Sequence, residues 1–319
     1  MKRGMINRGN RLSVNVLPAA AILLLATAGL AFAAGTAEET RDEPGRPVVT
    51  TTFTILSDFA SQVAGDRADV RTLTPAGAEV HEYELVPRSF VDLEEADLVL
   101  YNGYDIEQWM GQVRETVGEG VRVIPVAEET GFPTIPIQVG EYEGTPDPHV
   151  WMNPQGAIAY VEVIREALIE LDPEGESVYQ QNAEAYIAEL DSLHEELRSM
   201  FAELSEEQRL LITSEEAFLY FADAFDFDHH GIWGTNHEEE GSPEQIARIV
   251  DLVEERRPRA IFWESTISDR HVRSVSDDTG VAVAGPLYVD SIAEDDESAM
   301  DYTGFMRENG RLIMEYLGD

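Results

Sequence analysis

Cysteine is absent from the 319 residues. That excludes disulfides, thiolate metal sites, cysteine nucleophiles and, on the residues themselves, a lipid-modified N-terminal Cys. Lysine is nearly absent: Lys2 stands alone beside 21 arginines, and 22 basic residues face 62 acidic ones for a net charge of −40. Such a charge opposes nucleic acid and anionic lipid as partners. The acids are spread over helix faces rather than gathered in a tail, as on a surface adapted to high salt. No glycine-rich phosphate loop occurs, so the chain has no nucleotide-driven motor of its own.

Long apolar runs are missing too, apart from Val16 to Ala33. This run follows Lys2, Arg3, Arg8 and Arg11 and closes on Ala31-Phe32-Ala33. A basic start, an apolar middle and a small-residue exit predict a secretory signal peptide over residues 1–33, cleaved near Ala33 or Ala34. An acidic flexible tether over 34–47 follows. The mature protein is then expected to be free in a periplasm-like space, not inserted in the membrane and without a lipid anchor. Roughly 280 residues remain, enough for two modest cores.

From Val48 onward, strand-like runs alternate with amphipathic stretches, and this predicts an α/β fold with parallel sheets. Strands are expected at Val48 to Phe53, Val70 to Leu73, Asp97 to Tyr101 and Val121 to Pro125. Ser57 or Asp58 is expected to cap a helix ending at Gly65, Ser89 another, and Ile106 to Val117 a third. Asn153 and Pro154 open a helix to about Leu171. A further helix runs from Asp172-Pro173 to about Leu204, with Tyr186, Leu190, Leu193 and Leu197 at threes and fours. At 1.5 Å per residue it would be about 45 Å long, a strut between two lobes. The second lobe repeats the pattern: a strand at Arg209 to Thr213 with Ser214 capping a helix, a capping box at Ser242-Pro243-Glu244-Gln245, and a strand at Ala260 to Glu264. Ser268 opens the next helix, and the last strand spans Val281 to Ala284. The resulting domains are an N-terminal lobe at 48–172, a linking helix at 173–206 and a C-terminal lobe at 207–319.

Two loops carry the chemistry. Gly77-Ala78-Glu79-Val80-His81-Glu82-Tyr83-Glu84 and Asp147-Pro148-His149-Val150-Trp151-Met152-Asn153-Pro154 each hold one imidazole in a Pro-bounded turn ahead of a helix. Such turns hold a side chain firmly, and His81 and His149 are read as two ligands of one transition-metal site. Both lie past the carboxyl ends of strands, where open α/β sheets bind ligands. Glu82, Glu84 or backbone carbonyls are the candidate acceptors for the second ring N–H of these histidines. His229, His230 and His237 lie near Glu238-Glu239-Glu240 and are read as part of an acidic surface loop rather than a second metal patch.

The segments Thr74 to Glu84, Ala96 to Gly103, Asp147 to Pro154, Thr213 to Phe218, Glu240 to Ile246, Val275 to Gly280 and Asp290 to Ala293 together resemble the metal-binding solute-binding proteins of ABC importers. They run in that family's order from Val48 to the C-terminus. The resemblance implies two α/β lobes joined by one long helix, with one divalent metal between them. It places the ligands at His81, His149, Glu215 and Asp290. Among 62 acids, spacing alone selects neither Glu215 nor Asp290. In that family zinc proteins usually carry His at the third position and often a His-rich loop in the first lobe, while manganese and iron proteins usually carry Glu. With Glu215 and no His between Gln138 and Thr145, the resemblance implies Mn²⁺ first, with Zn²⁺ or Fe²⁺ as alternatives. The implied partner is an ABC permease with its cytoplasmic ATPase, served by a monomeric capture protein. A metalloenzyme is disfavoured, since no His-Glu-x-x-His helix occurs and four protein ligands leave little room for substrate or an activated water. An adhesin reading has no residue-level support.

Overall fold

In the computed structural model, the described residues are 45–236, 240–292 and 300–318. The expected signal peptide, most of the tether and His237 lie outside them. Among the described residues no helix is long and apolar enough to cross a membrane.

The first lobe is built on four short strands: β1 (Val48–Thr51), β2 (Asp69–Thr72), β3 (Leu98–Tyr101) and β4 (Arg122–Pro125). They form one parallel sheet in the order β2-β1-β3-β4. Helices α1 (Thr54–Ala64), α2 (Pro87–Glu94), α3 (Met110–Thr116) and the single turn α4 (Val126–Glu129) connect and cover them, and α5 (Pro154–Leu171) closes the lobe. β3 is buried along its whole length, as a central parallel strand covered on both faces must be.

The second lobe holds two parallel pairs, β5 (Leu210–Glu215) with β6 (Asp228–Trp233) and β7 (Ala260–Glu264) with β8 (Ala282–Leu287). Its helices are α7 (Leu219–Phe225), α8 (Pro243–Arg256), α9 (Arg270–Thr279) and α10 (Tyr302–Leu317). Between the lobes runs α6 (Glu176–Phe201), whose 26 residues make it roughly 39 Å long. Its buried stripe is Tyr179, Ala183, Tyr186, Leu190, Leu193, Leu197 and Phe201. α6 packs against α1 and α5 on one side and α7 and α10 on the other, so one apolar stripe serves both lobes. The fold is therefore the expected two-lobe α/β architecture with a long joining helix.

Several local expectations are corrected. α1 begins at Thr54 behind Phe53, with no side-chain cap. Asp58 instead accepts from the Tyr186 hydroxyl and the Tyr302 amide. Ser89 lies inside α2, which starts at Pro87. Ser214 and Glu215 belong to β5, not to a helix start. The joining helix starts at Glu176, because Pro173–Gly175 forms a 3₁₀ turn beside Asp172, which is held by Arg67 and the Tyr179 hydroxyl. Both Asn153 and the Ser242 capping box form as expected.

Candidate metal centre

Each lobe brings two side chains to the space beyond its strand ends. His81 follows β2 in a turn shaped by Glu79, whose carboxylate accepts the backbone amides of His81 at 2.8 Å and Glu82 at 3.0 Å. His149 precedes a 3₁₀ turn over Val150–Met152, three residues driven into the core. Glu215 ends β5; its amide donates to Glu264 at 3.0 Å, and its Oε1 accepts the Asn236 amide at 2.8 Å. Asp290 comes just after β8. There Asn309 grips the backbone of Tyr288 through both its N–H and C=O, and the Trp151 indole donates to Val289 O at 3.0 Å.

These four residues meet. One donor atom from each lies within 4.8 Å of all the others. His81 Nε2 is 3.6 Å from Glu215 Oε1, and His149 Nε2 is 3.7 Å from Glu215 Oε2 and 3.5 Å from Asp290 Oδ1. Donors about 2.2 Å from a common cation sit about 3 to 4.4 Å from one another, so these separations of 3.6, 3.7 and 3.5 Å suit a single ion. All four are at most 1% exposed. Among the described residues, Glu215 Oε2, His149 Nε2 and both Asp290 oxygens have no hydrogen-bond partner. Buried polar atoms are normally satisfied, and unmatched ones gathered in one cluster call for a ligand.

The electrostatics call for positive charge. Burial drives the Glu215 carboxyl well above its ordinary range, opposed by His149 and reinforced by Asp290. Burial opposes charge on His149, but Asp147 and Glu215 beside it hold its pKa well above 6.5. Asp290 is pushed up by burial yet ends below the usual range, because His149 and His81 lie against it. Protons and a dication thus compete for the same cluster.

Two further acids at this site were missed by sequence reasoning. Glu264, at the end of β7, is buried and raised to about 8 by desolvation and by Asp290. Glu79 is raised to about 7 by the same two causes. Both sit at strand ends or in the His81 turn, a signal too common among acids to single them out. The expected acceptors Glu82 and Glu84 are exposed. Asp147 fills that role for His149, with its Oδ1 2.6 Å from Nδ1. His229 is not on a surface loop: it is buried against Thr213 and Phe218, while His230 pairs with Asp228.

Two α/β lobes, a joining helix and a buried donor cluster between them are the architecture of a solute-binding protein, with the cluster as its candidate metal site. Residues 49–316 match the family described as zinc-uptake complex component A, periplasmic, and the chain belongs to that family. It is 39% identical over 286 residues to the iron-binding protein YfeA of Yersinia pestis, covering 89% of this chain and 91% of that protein. To the manganese-binding lipoprotein MntA of Halalkalibacterium halodurans it is 38% identical over 288 residues, 90% of this chain and 93% of that one. A solved manganese-bound periplasmic metal-binding protein of Candidatus Liberibacter asiaticus superposes with a TM-score of 0.77 at 30% identity, over 85% of this chain and 99% of that chain.

The chain is accordingly a metal-binding component of an extracytoplasmic metal-uptake family whose members are substrate-binding transport proteins rather than enzymes, and its relatives include a substrate-binding lipoprotein of a metal ABC transporter, SsaB of Streptococcus sanguinis. One expectation is overturned. The missing cysteine predicts a protein free of any lipid anchor, yet relatives such as MntA are lipoproteins by name. Anchorage is a property of a segment outside the α/β fold and leaves no trace in its core, so the fold does not support an unanchored state.

Proposed function

We propose that His81, His149, Glu215 and Asp290 hold one divalent transition metal as cargo, with Mn²⁺ the metal captured. Lobes 48–172 and 207–319, linked through 173–206, enclose it and deliver it to the permease. The observation that carries this reading is the convergence of two imidazoles and two carboxylates, buried, within 4.8 Å. Two carboxylates neutralise a dication. Both Asp290 oxygens and Glu215 Oε2 lack other partners among the described residues, so more than four contacts are open to the ion. That favours Mn²⁺ or Fe²⁺ over tetrahedral Zn²⁺. Zn²⁺ also binds such donors tightly, since intrinsic affinity rises along the series, so selectivity comes from geometry.

The test is a titration with Mn²⁺, Zn²⁺ and Fe²⁺, together with metal analysis of the purified protein. Each bound ion raises the melting temperature by mass action, and His81→Ala or Asp290→Ala abolishes the shift. Full metal stabilisation retained in both variants would remove the site.

A further inference from the structure

The stretch from Asn102 to Trp109, between β3 and α3, contains a strained turn. Gly103, Tyr104 and Asp105 have φ of 93°, 51° and 58° in succession. Side chains rarely accept that conformation, and two non-glycine residues in a row do so here. The left-handed curl returns the Glu107 carboxylate to the end of the sheet. There Oε1 accepts the Asn102 amide at 2.7 Å and the Thr52 hydroxyl at 2.7 Å, and Oε2 accepts the Gly103 amide at 3.2 Å. Glu107 is 4% exposed and all three of these donors are neutral; burial pushes its pKa to about 7. This arrangement is costly, and none of its groups is among the four donors of the metal site.

What the stretch holds is the backbone of both imidazole loops. Asn102 Nδ2 donates to Pro148 O at 3.0 Å, one residue before His149, while Tyr160 fixes the same amide through Oδ1 at 2.6 Å. On the other side, the Gln108 amide donates to His81 O at 3.2 Å. Trp109 Nε1 donates to Val80 O at 2.8 Å. One short segment therefore ties the His81 and His149 loops to a common frame, and Glu107 closes that segment on itself. A carboxylate suits the role because its two oxygens accept several N–H and O–H groups at once.

We infer that Glu107 is a positioning residue: through Asn102, Gln108 and Trp109 it sets the separation of the His81 and His149 imidazoles, and with it the site's preference among divalent ions. The inference rests on the proposal that these two histidines bind the metal. The ring centroids stand 5.7 Å apart, and displacements of about half an ångström are enough to change which coordination geometry a site supports.

The experiment uses the full chain and the variants Glu107→Gln and Glu107→Ala, with Mn²⁺ and Zn²⁺ affinities from chelator competition. The electronic spectrum of bound Co²⁺ reports ligand geometry. In Glu107→Gln one acceptor becomes an NH₂ facing the Gly103 amide; Mn²⁺ affinity falls about 10-fold, the magnitude typical of groups that orient metal ligands. Zn²⁺ affinity falls less, and the Co²⁺ spectrum shifts. Glu107→Ala does the same more strongly. Should it fail to fold, Trp109→Phe, which loses the bond to Val80 and part of the buried indole, gives a smaller change in the same direction. A lower melting temperature without metal, with the Mn²⁺ to Zn²⁺ ratio and the Co²⁺ spectrum unchanged, would overturn the inference and leave Glu107 a structural residue. Wild-type protein that binds none of the three ions would overturn the metal site itself and this inference with it.

Discussion

Asp147 Oδ1 accepts both the ring Nδ1–H of His149, at 2.6 Å, and the backbone N–H of the same residue, at 3.2 Å. A carboxylate that accepts the Nδ1–H hydrogen bond leaves the Nε2 lone pair for the cluster. It also makes that nitrogen a stronger donor to a cation. Asp147→Asn keeps an acceptor of the same shape but removes the charge. Metal affinity then falls about 10- to 100-fold in chelator competition. An unchanged affinity would mean that the buried walls around Val150 and Trp151 orient the ring unaided.

The pH dependence of metal binding follows from the same contact. The sequence alone predicts weakening below about pH 6, where ordinary imidazoles take up protons. In the folded protein Asp147 and Glu215 hold the His149 pKa well above 6.5, and Glu215 is itself raised well above 4.5. An incoming metal displaces protons from both. Affinity therefore keeps rising with pH through neutrality, and isothermal titration between about pH 6 and 9 should show proton release on binding. A flat profile across that range would mean that neither group carries a proton there before the metal enters.

His229 makes a separate prediction for the metal-free protein. Burial lowers its pKa from 6.5 to about 3. The unfolded chain binds this proton first as the pH falls. The neutral buried ring thus contributes stability that is complete above about 6.5 and is lost progressively toward 3. Glu107 and Glu216 act the other way. Burial raises each to about 7 from 4.5, so their cost to the fold shrinks as the pH drops through that window. Urea unfolding at about pH 5 and pH 7.5 separates the two effects. His229→Gln, which can still donate to Thr213, should lose less stability on acidification than wild type. Identical pH dependence in the two proteins would remove His229 from the account.

Local signals were read correctly where the determining contacts are local. Asn153 accepts the Gln155 amide and Pro154 begins α5; Ser242 and Gln245 cap each other at α8. These need only three or four neighbouring residues. Ser57, Asp58, Ser89 and Ser214 had the same chemistry, but Ser57 and Ser89 lie inside their helices, Asp58 is claimed by distant partners and Ser214 by a strand. Asp58 reaches α6 and α10, and Ser214 is drawn into β5 beside Glu264. The helix expected from Ile106 begins at Met110, because the Glu107 side chain is committed to the end of β3.

The order of residues by itself determined the alternation of strands and helices, the apolar stripe of the joining helix and the two Pro-bounded imidazole turns, since each is a matter of short-range spacing and backbone restriction. The acidic partners of the cluster were a different matter. Glu215 and Asp290 are chemically indistinguishable from 60 other acids along the chain, and the roles of Asp147, Glu264 and Glu107 left no mark there. Only the packed lobes decided which carboxylates lose their water and face one another, because desolvation and proximity arise from contacts between residues as far apart as His81 and Asp290.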